Sequence, residues 1–200
     1  MTRFFSLLSA TALALGLMVG TASAQDATSS SEDNVFVMGG PFASDYFSDV
    51  VTPWDNSYES NFFVGAGYQR FIHEYSGFKF GFEAGIGLRA GYNQNSSVEI
   101  WGGAVGRFGM FQFGDISITP SITAGLSMVT DTIGVETERA ARIGKSVPVL
   151  YYLAPEIAIS NAQHPEYEGF MRIQHRSGGF GTIAEIDGSN AVVVGMRYKL

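Results

Sequence analysis

The residues best suited to chemistry lie near the end of the chain, in Phe170-Met171-Arg172-Ile173-Gln174-His175-Arg176-Ser177-Gly178-Gly179. Read as a β-strand, this segment puts His175 and Ser177 on one face, two residues apart and close enough to interact. They share parity with Met171 and Ile173, whereas Arg172, Gln174 and Arg176 occupy the other face. In the next strand Asn190 shares parity with Val192, Val194, Met196 and Tyr198, which puts a third polar group on the same outward patch. A serine with an adjacent histidine base and a third group to orient the imidazole is the arrangement that activates a hydroxyl for acyl transfer. Ser, His and Asn are also ordinary residues at strand ends, so the spacing alone identifies a candidate.

The elements that must hold these residues are strands. From residue 34 onward the apolar signal has period 2. It is clearest where Phe78, Phe80, Phe82, Ala84, Ile86, Leu88 and Ala90 alternate with Lys79, Gly81, Glu83, Gly85, Gly87 and Arg89. Approximate strands 34–40, 60–73, 78–91, 98–110, 116–128, 149–160, 166–178 and 190–200 give an all-β, eight-stranded, antiparallel up-and-down barrel. Several reach the ~9–11 residues that cross a bilayer, and the polar face is rich in Gly, Ser and Thr with charges of both signs. Such a face fills a narrow lumen, which favours a transmembrane barrel over a lipocalin-like soluble one. Phe62, Phe63, Phe71, Phe111, Phe113, Tyr151, Tyr152 and Tyr198 near strand ends are expected to form interfacial girdles. The expected outer connections are 41–59, 92–96, 130–147 and 179–189. The inner turns 74–76, 111–115 and 161–165 are shorter. Within the third outer connection Glu136, Glu138, Arg139, Arg142 and Lys145 read as a solvated, briefly helical segment; a phosphate clamp formed by its basic residues is the less favoured reading.

Composition agrees with one exported barrel domain. The 200 residues are 46% hydrophobic and 16% charged, with 25 Gly and no Cys. Met1-Thr2-Arg3, an apolar run to Gly20 and Ala22-Ser23-Ala24 read as a secretory signal peptide over residues 1–24. Residues 25–33 (QDATSSSED) read as a disordered lead, and 34–200 as the barrel. Losing Arg3 with the leader makes a chain of net charge −7 more acidic by one, which argues against a nucleic-acid partner. Without thiols, zinc–thiolate and cysteine chemistry are excluded. No H-x-x-x-H pair, carboxylate cluster or phosphate-binding glycine loop occurs, so no metal and no cofactor are expected. Of the three histidines, His73 and His164 read as solvated residues at turns.

The succession His175-Arg176-Ser177-Gly178, a loop, Gly188-Ser189-Asn190 and Gly195-Met196-Arg197-Tyr198 resembles the end of the lipid A 3-O-deacylase family, also described as acyloxyacyl hydrolase-like. The resemblance covers about the last 30 residues. It implies an outer-membrane serine esterase of a Gram-negative bacterium that removes an ester-linked acyl chain from the lipid A of lipopolysaccharide in the outer leaflet. Ser177 would be the nucleophile and His175 the general base. The family's third member is a Glu near the start of the last strand, where Asn190 falls closest. Asn can orient an imidazole but lacks the charge that stabilises an imidazolium, so Glu185 and Asp187 in the intervening loop become alternative acids. Gly178 stands where family members often have Asn. Backbone N–H groups at Gly178 and Gly179 are the expected oxyanion donors. The competing expectations are a non-enzymatic outer-membrane barrel with a structural or surface-binding role, and a soluble periplasmic binder.

Overall fold

The computed structural model describes residues 32–92 and 95–200. The expected signal peptide and most of the expected lead lie outside the described residues. The chain forms β1 (Glu32–Ala43), β2 (Tyr58–Tyr75), β3 (Phe78–Gly91), β4 (Ser97–Arg107), β5 (Phe111–Phe113), β6 (Ile116–Val129), β7 (Val149–Asn161), β8 (His164–Ser177) and β9 (Asp187–Lys199). All pairings are antiparallel between sequence neighbours, except that β4 pairs with β6 and β9 returns to β1. Eight strands therefore close the wall, and the three-residue β5 only extends the edge of β6. Closure satisfies every strand edge, which a barrel in a medium without water requires.

Small differences from the sequence reading have local causes. β1 begins at Glu32, inside the expected lead, because Glu32 pairs with Phe71 of β2. The expected turn 111–115 contains β5, whose Phe111 pairs with Ile118. The β2–β3 turn is Ser76-Gly77, both at positive φ (51° and 79°), the mirror-image turn that suits the twist of a hairpin.

The wall has an apolar exterior and a charged interior. Val37, Val64, Phe82, Ile86 and Val194 are exposed, and Arg89, Arg172, Arg197, Glu83, Glu156 and Glu168 are buried. This inverts the arrangement of a water-soluble protein and suits contact with hydrocarbon. The Glu83 carboxylate accepts hydrogen bonds from Gln69 Nε2 (2.6 Å), Trp101 Nε1 (2.9 Å), Thr123 Oγ1 (3.0 Å) and both Arg172 Nη atoms (2.7 and 2.8 Å). Arg172 also reaches Glu156, which takes Arg197 as well. Arg197 continues to Glu168, which accepts from Arg107 and Lys199. Lumen glycines make room for rings beside this network. A Cβ on Gly67 would meet the Phe36 ring at 2.3 Å, and one on Gly85 would meet Trp101 at 2.1 Å.

Two sequence expectations are corrected here. Phe63, Phe71 and Tyr152 do not join the outer girdles, because their parity turns them into the lumen, where they are buried. Tyr152 there donates its hydroxyl to Gln174 Oε1 at 2.7 Å. The third outer connection is not uniformly solvated. It contains α2 (Val135–Arg142), whose Glu136 and Arg139, one turn apart on one face, are both buried. Glu136 forms ion pairs with Arg89 and Arg176 at the outer end of the lumen, compensating two cations that no wall residue fully neutralises. Arg142 and Lys145 remain outside this packing.

Arg172 joins Glu83 to Glu156, so its removal leaves two buried carboxylates undercompensated. Arg172→Met is expected to destabilise the folded barrel by about 3–5 kcal/mol, with Arg172→Lys recovering part of the loss. Urea unfolding of the protein in liposomes, followed by tryptophan fluorescence of Trp101, measures both.

Candidate active site

Strands β8 and β9 bring the expected residues together at the outer rim. His175 and Asn190 lie directly opposite each other in the ladder, both on the outward face. The imidazole Nδ1 and Asn190 Oδ1 are 2.6 Å apart. Asn190 Nδ2 donates to the backbone carbonyl of Asp45 at 2.9 Å. A carbonyl can only accept, so that bond fixes which way the Asn190 amide faces. Its oxygen then points at Nδ1, which must carry the proton. The lone pair is left on Nε2, the tautomer a general base needs.

The pair does not lie open on the wall as the sequence reading expected. His175 is only 6% exposed and Asn190 is fully buried. The first outer connection folds down over them through α1 (Phe47–Val50), and the Phe47 ring stacks on the imidazole with centroids 4.3 Å apart and planes at 29°. Asp45 accepts from Asn190, and the neighbouring Tyr46 ring stands 4.8 Å from the Arg139 guanidinium. The short α1 has no side-chain cap, so these contacts, more than helix propensity, hold it in place.

Beside the roof is a cavity of about 530 Å³, lined by Tyr46, Phe47, His175, Ser177, Phe180 and Asp187 among others. Ser177 is half-buried at its wall, and among the described residues its hydroxyl makes no hydrogen bond. Ser177 and His175 thus flank one space without a hydrogen bond between them, a geometry that unliganded sites often show. After Ser177 the chain turns through three successive positive φ values, Gly179 (61°), Phe180 (54°) and Gly181 (88°). Phe180 projects fully into the surroundings at the cavity mouth.

Of the two expected oxyanion donors, Gly178 is already engaged, its N–H donating to Ile186 O at 2.7 Å. Gly179 N–H donates to no described group. Its carbonyl is taken up by Thr182, through N at 3.1 Å and Oγ1 at 2.8 Å. Of the two alternative acids, Glu185 lines the cavity but is exposed and makes no contact with His175. Asp187 comes closer, with Oδ1 3.9 Å from His175 Nδ1. His73 and His164 are exposed at strand ends, away from the cavity. Among the described residues no group of three or more His, Cys, Asp or Glu could hold a metal ion.

Sequence reasoning missed Asp45, Phe47 and Arg139. The first two act through a carbonyl and a ring stack across more than 120 residues of chain, for which a linear pattern carries no signal. Arg139 had a signal in its one-turn spacing from Glu136, which marks a shared helix face.

No family model matches the chain, and no curated protein does either. Solved structures do match it. The outer membrane enzyme PagL is 12% identical with a TM-score of 0.55, over 84% of this chain and 99% of that one. Neisserial surface protein A is 11% identical with a TM-score of 0.50, over 88% of this chain and 100% of that one. At such identities the likeness is one of fold, and the fold is that of small outer-membrane β-barrels, one of these an enzyme and the other a surface protein.

Proposed function

We propose that this chain is an outer-membrane esterase that removes an ester-linked acyl chain from lipid A, with Ser177 as nucleophile and His175 as general base. The observation that carries the reading is the His175–Asn190 contact at 2.6 Å, locked in one tautomer by the Asp45 carbonyl. A histidine with its free lone pair on Nε2, lining the same cavity as a serine, has a geometry suited to acyl transfer. The cavity opens on the outward face of the wall, whose exposed side chains form an apolar belt. A substrate whose ester lies near the headgroup and whose chains run into that belt meets it by lateral diffusion in the outer leaflet. Lipid A has that chemistry, and the resemblance of the last 30 residues points the same way.

The reaction then runs in two halves. Ser177 Oγ attacks the ester carbonyl carbon while its proton passes to His175 Nε2. The tetrahedral intermediate collapses, the sugar–oxygen bond to the acyl carbon breaks, and the leaving alkoxide takes the proton from the imidazolium. Water attacks the acyl-enzyme with His175 again accepting the proton, and collapse returns that proton to Ser177 as the fatty acid leaves. The Gly179 N–H is the group available to the oxyanion in both halves. Neither half requires a metal or cofactor.

Mass spectrometry of lipid A from Gram-negative cells expressing the protein tests the reading. Wild-type protein is expected to remove one acyl chain, and Ser177→Ala to remove none while still assembling in the outer membrane. Unchanged lipid A with wild-type protein in the outer membrane would favour a barrel with a structural or surface-binding role. The tautomer has its own test. Nitrogen-15 chemical shifts of His175 in detergent micelles should report Nδ1–H with unprotonated Nε2, and Asn190→Leu should mix the two tautomers. The same substitution is expected to lower kcat by roughly 10²–10⁴-fold, the range associated with losing the correct tautomer.

A further inference from the structure

In a serine-type site the third group does two jobs: it orients the imidazole, and it stabilises the positive charge when the serine proton arrives. Asn190 does the first, through its 2.6 Å contact, and being neutral cannot do the second. The strand pairing supplies what is missing. His175 pairs with Asn190 and Arg176 with Ser189, but Ser177 pairs with Asp187, so Gly188 is an extra residue in β9. It is a β-bulge, a device that re-aims side chains. By strict alternation Asp187 would share the inward face of Ser189, which is buried and accepts from Arg89 at 3.0 Å. The bulge instead turns Asp187 outward, onto the cavity with His175 and Ser177. Residue 188 suits glycine, since a Cβ there would meet the Arg176 carbonyl at 2.8 Å.

The bulge is held from α2. Arg139 Nη1 donates to the Gly188 carbonyl at 3.1 Å, and Nη2 donates to the Ser44 carbonyl at 2.9 Å. The same guanidinium lies 3.8 Å from Asp187 Oδ2, while Asp187 Oδ1 lies 3.9 Å from His175 Nδ1. The Asp187 carboxylate thus sits between a permanent cation and the ring that becomes one during the reaction.

We infer that the third role of the site is divided between two residues, Asn190 orienting His175 and Asp187, turned outward by the Gly188 bulge, supplying the negative charge opposite the imidazolium. This rests on the esterase reading above. Asp187 acts through His175 and is a positioning residue. Its charge is felt when the Ser177 proton reaches Nε2, and less before, because the imidazole is neutral in the resting site.

The test uses the full-length barrel in detergent micelles with purified lipid A, comparing wild type, Ser177→Ala, Asp187→Asn and Asp187→Glu. Asp187→Asn keeps the shape and can still accept from Arg139. It is expected to lower kcat about 10–100-fold with KM unchanged, as a transition-state interaction requires. Asp187→Glu keeps a carboxylate at this position and is expected to recover part of that loss, which a role resting on shape or hydrogen bonding alone would not give. Wild-type kcat in Asp187→Asn, or an Asp187→Glu no better than Asp187→Asn, would overturn the division while leaving the esterase reading intact. A wild type as inactive as Ser177→Ala would remove both. Heat-modifiable migration on gels confirms folding of each variant.

Discussion

The structure depends on the arginine–glutamate network inside the barrel. Eight strands give a lumen too narrow for a water column and too polar for hydrocarbon, so its charges must answer one another. Arg172 and Arg197 bind Glu83, Glu156 and Glu168 across the lumen, tying β3, β7, β8 and β9 together through side chains as well as the backbone ladder. Glu83 depends most on one partner, since Arg172 is its ion-pair partner among the described residues, whereas Glu156 and Glu168 share several. Lumen glycines and the rings of Phe36, Phe63 and Trp101 fill what the ions do not.

The candidate site is built on the outside of this frame and stiffened from within. Arg176 lies between His175 and Ser177 on β8 and points inward, where it meets Glu136 of α2 and the carbonyl of Pro148. The strand that carries His175 and Ser177 is thus anchored through the residue between them. The same helix sends Arg139 over the rim to the carbonyls of Ser44 and Gly188. One short helix therefore ties the lumen network to the outward-facing His175, Asn190 and Asp187.

The outward face is also where environment and chemistry meet. A water-facing histidine–serine pair would be solvated and mobile. Here Phe47 covers the imidazole on one side, and the exposed Phe180 lines the cavity. The left-handed backbone at Phe180 is unfavourable for a bulky residue and is tolerated between two glycines that share it.

The sequence by itself determined the wall. Period-2 alternation in segments such as 78–91 and 116–129 sets which side chains meet lipid and which meet the lumen, because a strand has only two faces and one of them must be apolar. It also determined that His175, Ser177 and Asn190 share an outward face, since parity carries across an antiparallel ladder. Only the tertiary structure decided what parity cannot express. Phe63 and Tyr152 read as girdle residues because aromatic composition at a strand end says nothing of which face a ring takes. The burial of Glu136 depends on cations contributed by β3 and β8, and that of Arg139 on the carbonyls of Ser44 and Gly188. The roof from Asp45 and Phe47 and the tautomer of His175 arise from contacts spanning more than 120 residues. Asp187 came onto the site through a single extra residue in a ladder, and a bulge reverses parity locally, so the rule that locates Asn190 is the one that fails three residues before it.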